Sequence, residues 1–144
     1  MQPRTIDTLL EQYSESHRNP INELIHVVCV PVIVFTLLGI LWSIHPAVAV
    51  AASLAALVYY FKLSRPFAFG MLLMSALMLA VLALMPPMTV LPLSIAIFVV
   101  AWIGQFIGHK IEGKKPSFLD DLRFLLIGPL FVLGFLYRRF NLAY

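Results

Sequence analysis

Three of the four histidines in this 144-residue chain sit in two short polar islands, His17 and His26 within Tyr13–His26 and His109 within Gln105–Asp121. Neutral imidazoles are nitrogen donors for transition metals, and a nearby carboxylate such as Glu112 adds an oxygen donor. In the second island Gln105, His109 and Glu112 follow i, i+4 and i+3 spacing, so one helical face carries all three. In the first island His17 and His26 would point in opposite directions on one unbroken helix. Pro20 interrupts that helix, which allows the two imidazoles to converge. Asn22 lies four residues before His26 on the same face, placed to orient a ligand or touch substrate, and Gly108 permits close approach of another helix. Three imidazoles and a carboxylate at one place suit a non-haem iron or a zinc ion. His17, His26 and His109 are therefore the expected catalytic metal ligands, with Glu112 beside them.

Each of these residues also has a plain structural reading. A histidine at a helix end can simply occupy the polar interface, Glu112 can pair with Lys115, and Lys110, Lys114 and Lys115 can be topology signals. His45, before Pro46 in a tight turn, reads as structural. Cys29 is alone in an apolar stretch, so no disulfide within the chain is possible.

The elements that must position the islands are helices in a bilayer. Hydrophobic residues make up 61% of the chain and the mean hydropathy is +0.93. From Pro66 to Gly108 there is no Asp, Glu, Lys, Arg or His, and from Val27 to Phe61 only His45 breaks the rule. Both runs exceed the ~20 residues that cross a bilayer as a helix. The expected fold is all-α, a single membrane domain over 1–144 with four to five spanning helices. Spans are expected at about 20–43, 46–62, 66–85, 89–110 and 118–137. The last is opened by a Ser117/Asp120 capping box and interrupted by Gly128-Pro129, which allows it to kink or re-enter rather than cross straight. Residues 5–16 place Ile6, Leu9, Leu10 and Tyr13 on one face and Asp7, Glu11 and Glu15 on the other. That pattern predicts an amphipathic helix on the membrane surface or docked to the bundle. The acidic N-terminus lacks the basic start and short apolar core of a secretory signal. Trp42, Tyr59, Tyr60 and Tyr137 read as interface anchors.

If five helices alternate, every Lys and Arg except Arg138 and Arg139 falls on one side, together with all the acidic residues. The positive-inside rule makes that side cytoplasmic and puts both islands there. The net charge of +3 is thus a topology signal, and no nucleic-acid partner is expected.

The motif His17-x4-Asn22-x3-His26 followed by Pro31, with Gln105-Phe-x-Gly-His109 and Glu112-Gly-x-x-Pro116, resembles the family of small membrane 2-hydroxy fatty acid dioxygenases. A fungal member of that family acts in phytosphingosine breakdown. The resemblance runs from about Ile6 to Tyr137. Glu112 follows His109 by three residues, where eukaryotic members often have four; both spacings keep a shared helical face. What the resemblance implies is an Fe(II)- and O2-dependent α-oxidation, in which a long-chain 2-hydroxy fatty acid loses its carboxyl carbon and becomes one carbon shorter. Arg18, Asn22, Gln105 and Lys114 are the residues expected to bind that substrate. It also implies the cytoplasmic membrane of a bacterium or the endoplasmic reticulum of a eukaryote. Two other classes stay open on the residues alone: a zinc-dependent membrane lipid hydrolase, and a non-enzymatic bundle such as a transporter or assembly factor. Oligomeric state is not legible.

Overall fold

A helix satisfies its own backbone hydrogen bonds, which is what an apolar segment inside a bilayer requires. The computed structural model describes residues 2–144 and contains only helices among them. They are α1 (Thr5–Ser14), α2 (Pro20–Ile44), α3 (Pro46–Leu63), α4 (Arg65–Leu84), α5 (Pro87–Glu112) and α6 (Phe124–Arg139), with one 3-10 turn at Ser117–Leu119. Helices α2 to α5 are each long and apolar enough to cross a membrane. Their outer faces expose side chains such as Leu24, Val28, Leu73 and Val100, which suit lipid rather than water. Each of the four starts with a proline in its first turn, where the missing N–H costs nothing and φ is already helical. Asn19 caps α2 by accepting from Ile21 N at 2.9 Å, and His45 caps α3 by accepting from Ala47 N at 3.0 Å.

Helix α2 is the hub. Helix α5 packs along α2 rather than along α4, to which it is joined, while α3 lies against both α2 and α4. Two glycines set the α2–α5 approach. A Cβ on Gly108 of α5 would collide with Asn22 Oδ1 of α2, and a Cβ on Gly39 of α2 would collide with Ser94 Oγ of α5. One lies toward each end of the crossing, so neither end can open without losing packing.

The fifth span expected over 118–137 is corrected. Ser117 makes no side-chain cap, the Asp120 carboxylate instead pairs with Lys115 Nζ at 2.7 Å, and the helix starts only at Phe124. It has 16 residues, short for a bilayer crossing, and stays at one end of the bundle. The Tyr60 hydroxyl donates to Leu126 O at 2.8 Å and the Tyr137 hydroxyl donates to Pro66 O at 2.7 Å. Tyr60 and Pro66 flank the α3–α4 turn, so both halves of α6 lie near it. These two tyrosines are struts for α6 rather than interface anchors.

Arg138 and Arg139 therefore join the other charged residues instead of facing the opposite side. Arg4 Nη2 donates to Tyr144 O at 3.2 Å, which brings the segment before α1 and the segment after α6 together at that face. Among the described residues every Lys, Arg, Asp and Glu lies at this end, and the other end carries only His45 among ionisable side chains. Helix α1 docks its apolar stripe of Ile6, Leu9 and Tyr13 into a cluster with Phe124, Ile127 and Phe131 of α6. Burial of Ile6 and Leu9 contributes on the order of 1.5–3 kcal/mol each. Helices α1 and α6 thus form a protein lid over the charged end of the four-helix bundle.

Candidate metal centre

Under that lid, three elements each deliver one imidazole. His17 comes from the turn after α1, His26 from the second turn of α2, and His109 from the last turn of α5. All three are buried. One ligand nitrogen from each lies within 4.8 Å of the others, and these are the three grouped donors among the described residues. His26 Nε2 and His109 Nε2 are 3.1 Å apart. Two nitrogens on one metal at ~2.1 Å are separated by roughly 3.0 Å when cis and about 4.2 Å when trans. The cluster is therefore close to the size of one coordination sphere. The ring planes cross at 76° (His17 and His26), 74° (His17 and His109) and 83° (His26 and His109), so the rings approach from nearly orthogonal directions.

The backbone fixes which nitrogen points inward. His17 Nδ1 donates to Tyr13 O at 2.7 Å and His26 Nδ1 donates to Asn22 O at 2.9 Å, each to the carbonyl four residues earlier. Both imidazoles thereby turn an Nε2 lone pair inward, as metal-binding histidines require. His17 Nε2 is buried with no partner, and so is His109 Nδ1. Tyr13 stacks on His17 with ring centroids 4.2 Å apart and planes 8° from parallel, which holds the imidazole plane. Burial pushes the His17 imidazole down to about 4, so it is neutral and available to a cation at pH 7. Three neutral imidazoles with an orphaned buried nitrogen fit a divalent transition metal, and three protein ligands leave coordination positions for substrate.

Glu112, expected among the donors, is corrected to a different place. Its Oε1 accepts from Arg18 N at 3.0 Å, and its Oε2 accepts from Asn19 N at 2.7 Å and Asn22 Nδ2 at 3.2 Å. The carboxylate is absorbed by the orphan N–H groups that precede α2, a stronger demand than its helical face alone suggests. It clips the end of α5 to the turn that carries His17. Asn22, fully buried, also donates to Ser16 O at 3.0 Å and so supports the same turn. It builds the frame around His26 and does not line the pocket at the imidazoles.

That pocket, of about 70 Å³, is lined by the three histidines together with Gln105, Trp102 and Ser117. Of the expected substrate-binding residues only Gln105 is there. The Arg18 side chain instead lines a separate polar cleft with Asp7, Glu11, Glu23 and Arg138, and Lys114 lines neither space. Both are exposed and reach water more cheaply than a buried centre. His17 lines the pocket and the cleft alike, and so forms the wall between them. Three polar atoms around the pocket are buried without partners: Gln105 Oε1, Trp102 Nε1 and Ser117 Oγ. Orphaned polar groups are costly in a protein interior, and three around one small pocket mark a place for a polar ligand. Sequence reasoning missed Trp102 and Ser117. Trp102, Gln105 and His109 share the i, i+3, i+7 stripe, which was a usable signal for the tryptophan. Ser117 carried none, because its spacing to Asp120 imitates a helix cap.

Four apolar helices and a lidded three-imidazole centre define a small integral-membrane protein with a candidate metal site. The chain belongs to the Mpo1-like family, whose sequence model, described as 2-hydroxy-palmitic acid dioxygenase Mpo1-like, matches residues 4–140. It is similar to the 2-hydroxy-palmitic acid dioxygenase MPO1 of Saccharomyces cerevisiae, with 33% identity over 129 residues that cover 84% of this chain and 73% of that protein. No solved structure matches it.

Proposed function

We propose that the protein is an Fe(II)-dependent dioxygenase that shortens long-chain 2-hydroxy fatty acids by one carbon. The observation that carries this reading is the convergence of three imidazoles with three unpartnered polar atoms in one buried pocket at the polar end of an apolar bundle. Membership in the family supports it. One O2 per hydroxy acid balances the overall reaction, which yields the shorter acid, carbon dioxide and water and needs no outside reductant.

His17, His26 and His109 would hold the iron, with Tyr13 O and Asn22 O keeping the first two in the tautomer that offers Nε2. Bound Fe(II) supplies the electrons that allow O2 to react with a closed-shell substrate. The Ser117 hydroxyl and the Trp102 indole N–H donate toward the substrate carboxylate, and Gln105 addresses the 2-hydroxyl. Removing water from this pocket strengthens each of those contacts. By the positive-inside rule the charged end, and with it the site, faces the cytoplasm.

The test is purified protein loaded with Fe(II), given O2 and 2-hydroxy acids of several chain lengths, with products read by mass spectrometry. An acid one carbon shorter is expected. Zinc-loaded protein should stay folded and turn nothing over, because zinc has no redox chemistry. Folded, iron-loaded protein that yields no shortened acid at any chain length refutes the reading.

A further inference from the structure

A second cavity, of about 240 Å³, lies deeper in the bundle between α2, α3 and α4. Its walls include Leu37, Leu38 and Leu41 of α2, Ala52 and Ala56 of α3, and Met71 of α4, so it is apolar. It has more than three times the volume of the pocket at the histidines, and the two spaces share two wall residues, Val34 and Leu125. Leu37 is 48% exposed and Ala52 is also exposed, so the wall between α2 and α3 faces the bilayer.

We propose that this cavity is the acyl chamber of the enzyme: the substrate tail passes Val34 and Leu125 and lies between α2 and α3, and the far end of the chamber sets the preferred chain length. The inference rests on the fatty-acid reading above. The order of residues along α2 supports it, because His26, Val34 and Leu41 mark the metal centre, the passage and the far wall in turn. At 1.5 Å per residue, His26 to Leu41 covers about 22 Å of helix. One leaflet of lipid tails fills roughly 15 Å, half of a ~30 Å core, so the path has room for a tail of membrane-lipid length. The wall chemistry favours an apolar occupant, since the hydroxyls of Ser53, Ser75 and Tyr60 that also line the space already donate to backbone carbonyls and a polar group would lose hydrogen bonds there. The small residues Ala52 and Ala56 keep the space open on the α3 side. A lateral opening also lets a water-insoluble acid enter from the bilayer with its head following toward the imidazoles.

The experiment compares turnover of short- and long-chain 2-hydroxy acids by the iron-loaded wild type, Ala56→Phe and Leu41→Ala. Filling the chamber with Ala56→Phe should lower the long-to-short turnover ratio at least tenfold, whereas Leu41→Ala should shift the preference toward longer chains. Equal effects at all lengths in both variants overturn the chamber. A photo-crosslinking arm reads the chamber without catalysis: a long-chain fatty acid with a terminal diazirine should label the 37–41 and 52–57 segments of the wild type. Labelling elsewhere overturns the proposal even when turnover is normal. Labelling there with no turnover of any acid keeps the chamber and removes the dioxygenase reading.

Discussion

The two ends of the bundle use histidine in opposite ways. At the far end His45 Nδ1 accepts a backbone N–H from Ala47, so its free lone pair is spent on capping α3 and its other nitrogen keeps the proton. At the lidded end His17 and His26 donate Nδ1–H to carbonyls of their own chain, which sends the lone pair of Nε2 inward. The same side chain becomes a structural cap or a candidate metal donor according to whether the local backbone offers it a donor or an acceptor. Position at a helix end does not decide between the two; whether the backbone group facing Nδ1 is an N–H or a carbonyl does.

The largest effect that can break this contrast is loss of an inward imidazole. His17→Ala, His26→Ala or His109→Ala should each lower metal affinity by more than about a hundredfold, beyond the range of changes in residues that only support a ligand. Metal analysis after desalting checks it, with circular dichroism showing that the helices remain. Next comes Glu112→Ala, which should weaken metal binding about 10–100-fold, as expected for a residue that orients ligands. Excess Fe(II) should then restore turnover. Failure of excess metal to do so would return Glu112 to the donor set.

A smaller pair sharpens the comparison at the level of packing. Gly108→Ala and Gly39→Ala both force an atom into the α2–α5 contact, and each should cost about 1–3 kcal/mol of stability. Only Gly108→Ala pushes on Asn22, so only it should also weaken metal binding. Thermal unfolding and metal titration on the two variants separate the outcomes. The smallest effect is His45→Ala, expected to cost about 0.5–2 kcal/mol through the lost cap, with metal content and turnover unchanged.

The sequence made the four crossing helices legible because a bilayer demands long apolar runs and tolerates few alternatives. The three histidines were legible for the same reason, since polar donors at the margins of such runs stand out against their surroundings. Helix α6 was not, because burial under protein and burial in lipid select the same apolar side chains; only its tyrosine struts reveal which it is. Glu112 was misplaced because spacing reports which face a side chain occupies but not how strongly the bare N–H groups of another segment compete for it. Ser117 passed as an ordinary residue because a helix cap is the commoner use of its type, and Trp102 drew no reading because it lies inside an apolar run.

The return of α6 to the lidded end has a consequence for how the chain is made. With Arg4 against Tyr144 and every Lys, Arg, Asp and Glu among the described residues on one side, synthesis of this segment pushes two short tips through the bilayer, one at His45 and one around Pro86. Charged residues are the costly cargo of insertion, and here none makes the journey. The polypeptide can enter as two successive helical hairpins, α2–α3 and then α4–α5. His109 arrives last, so the three imidazoles meet only when the second hairpin has docked its α5 against α2.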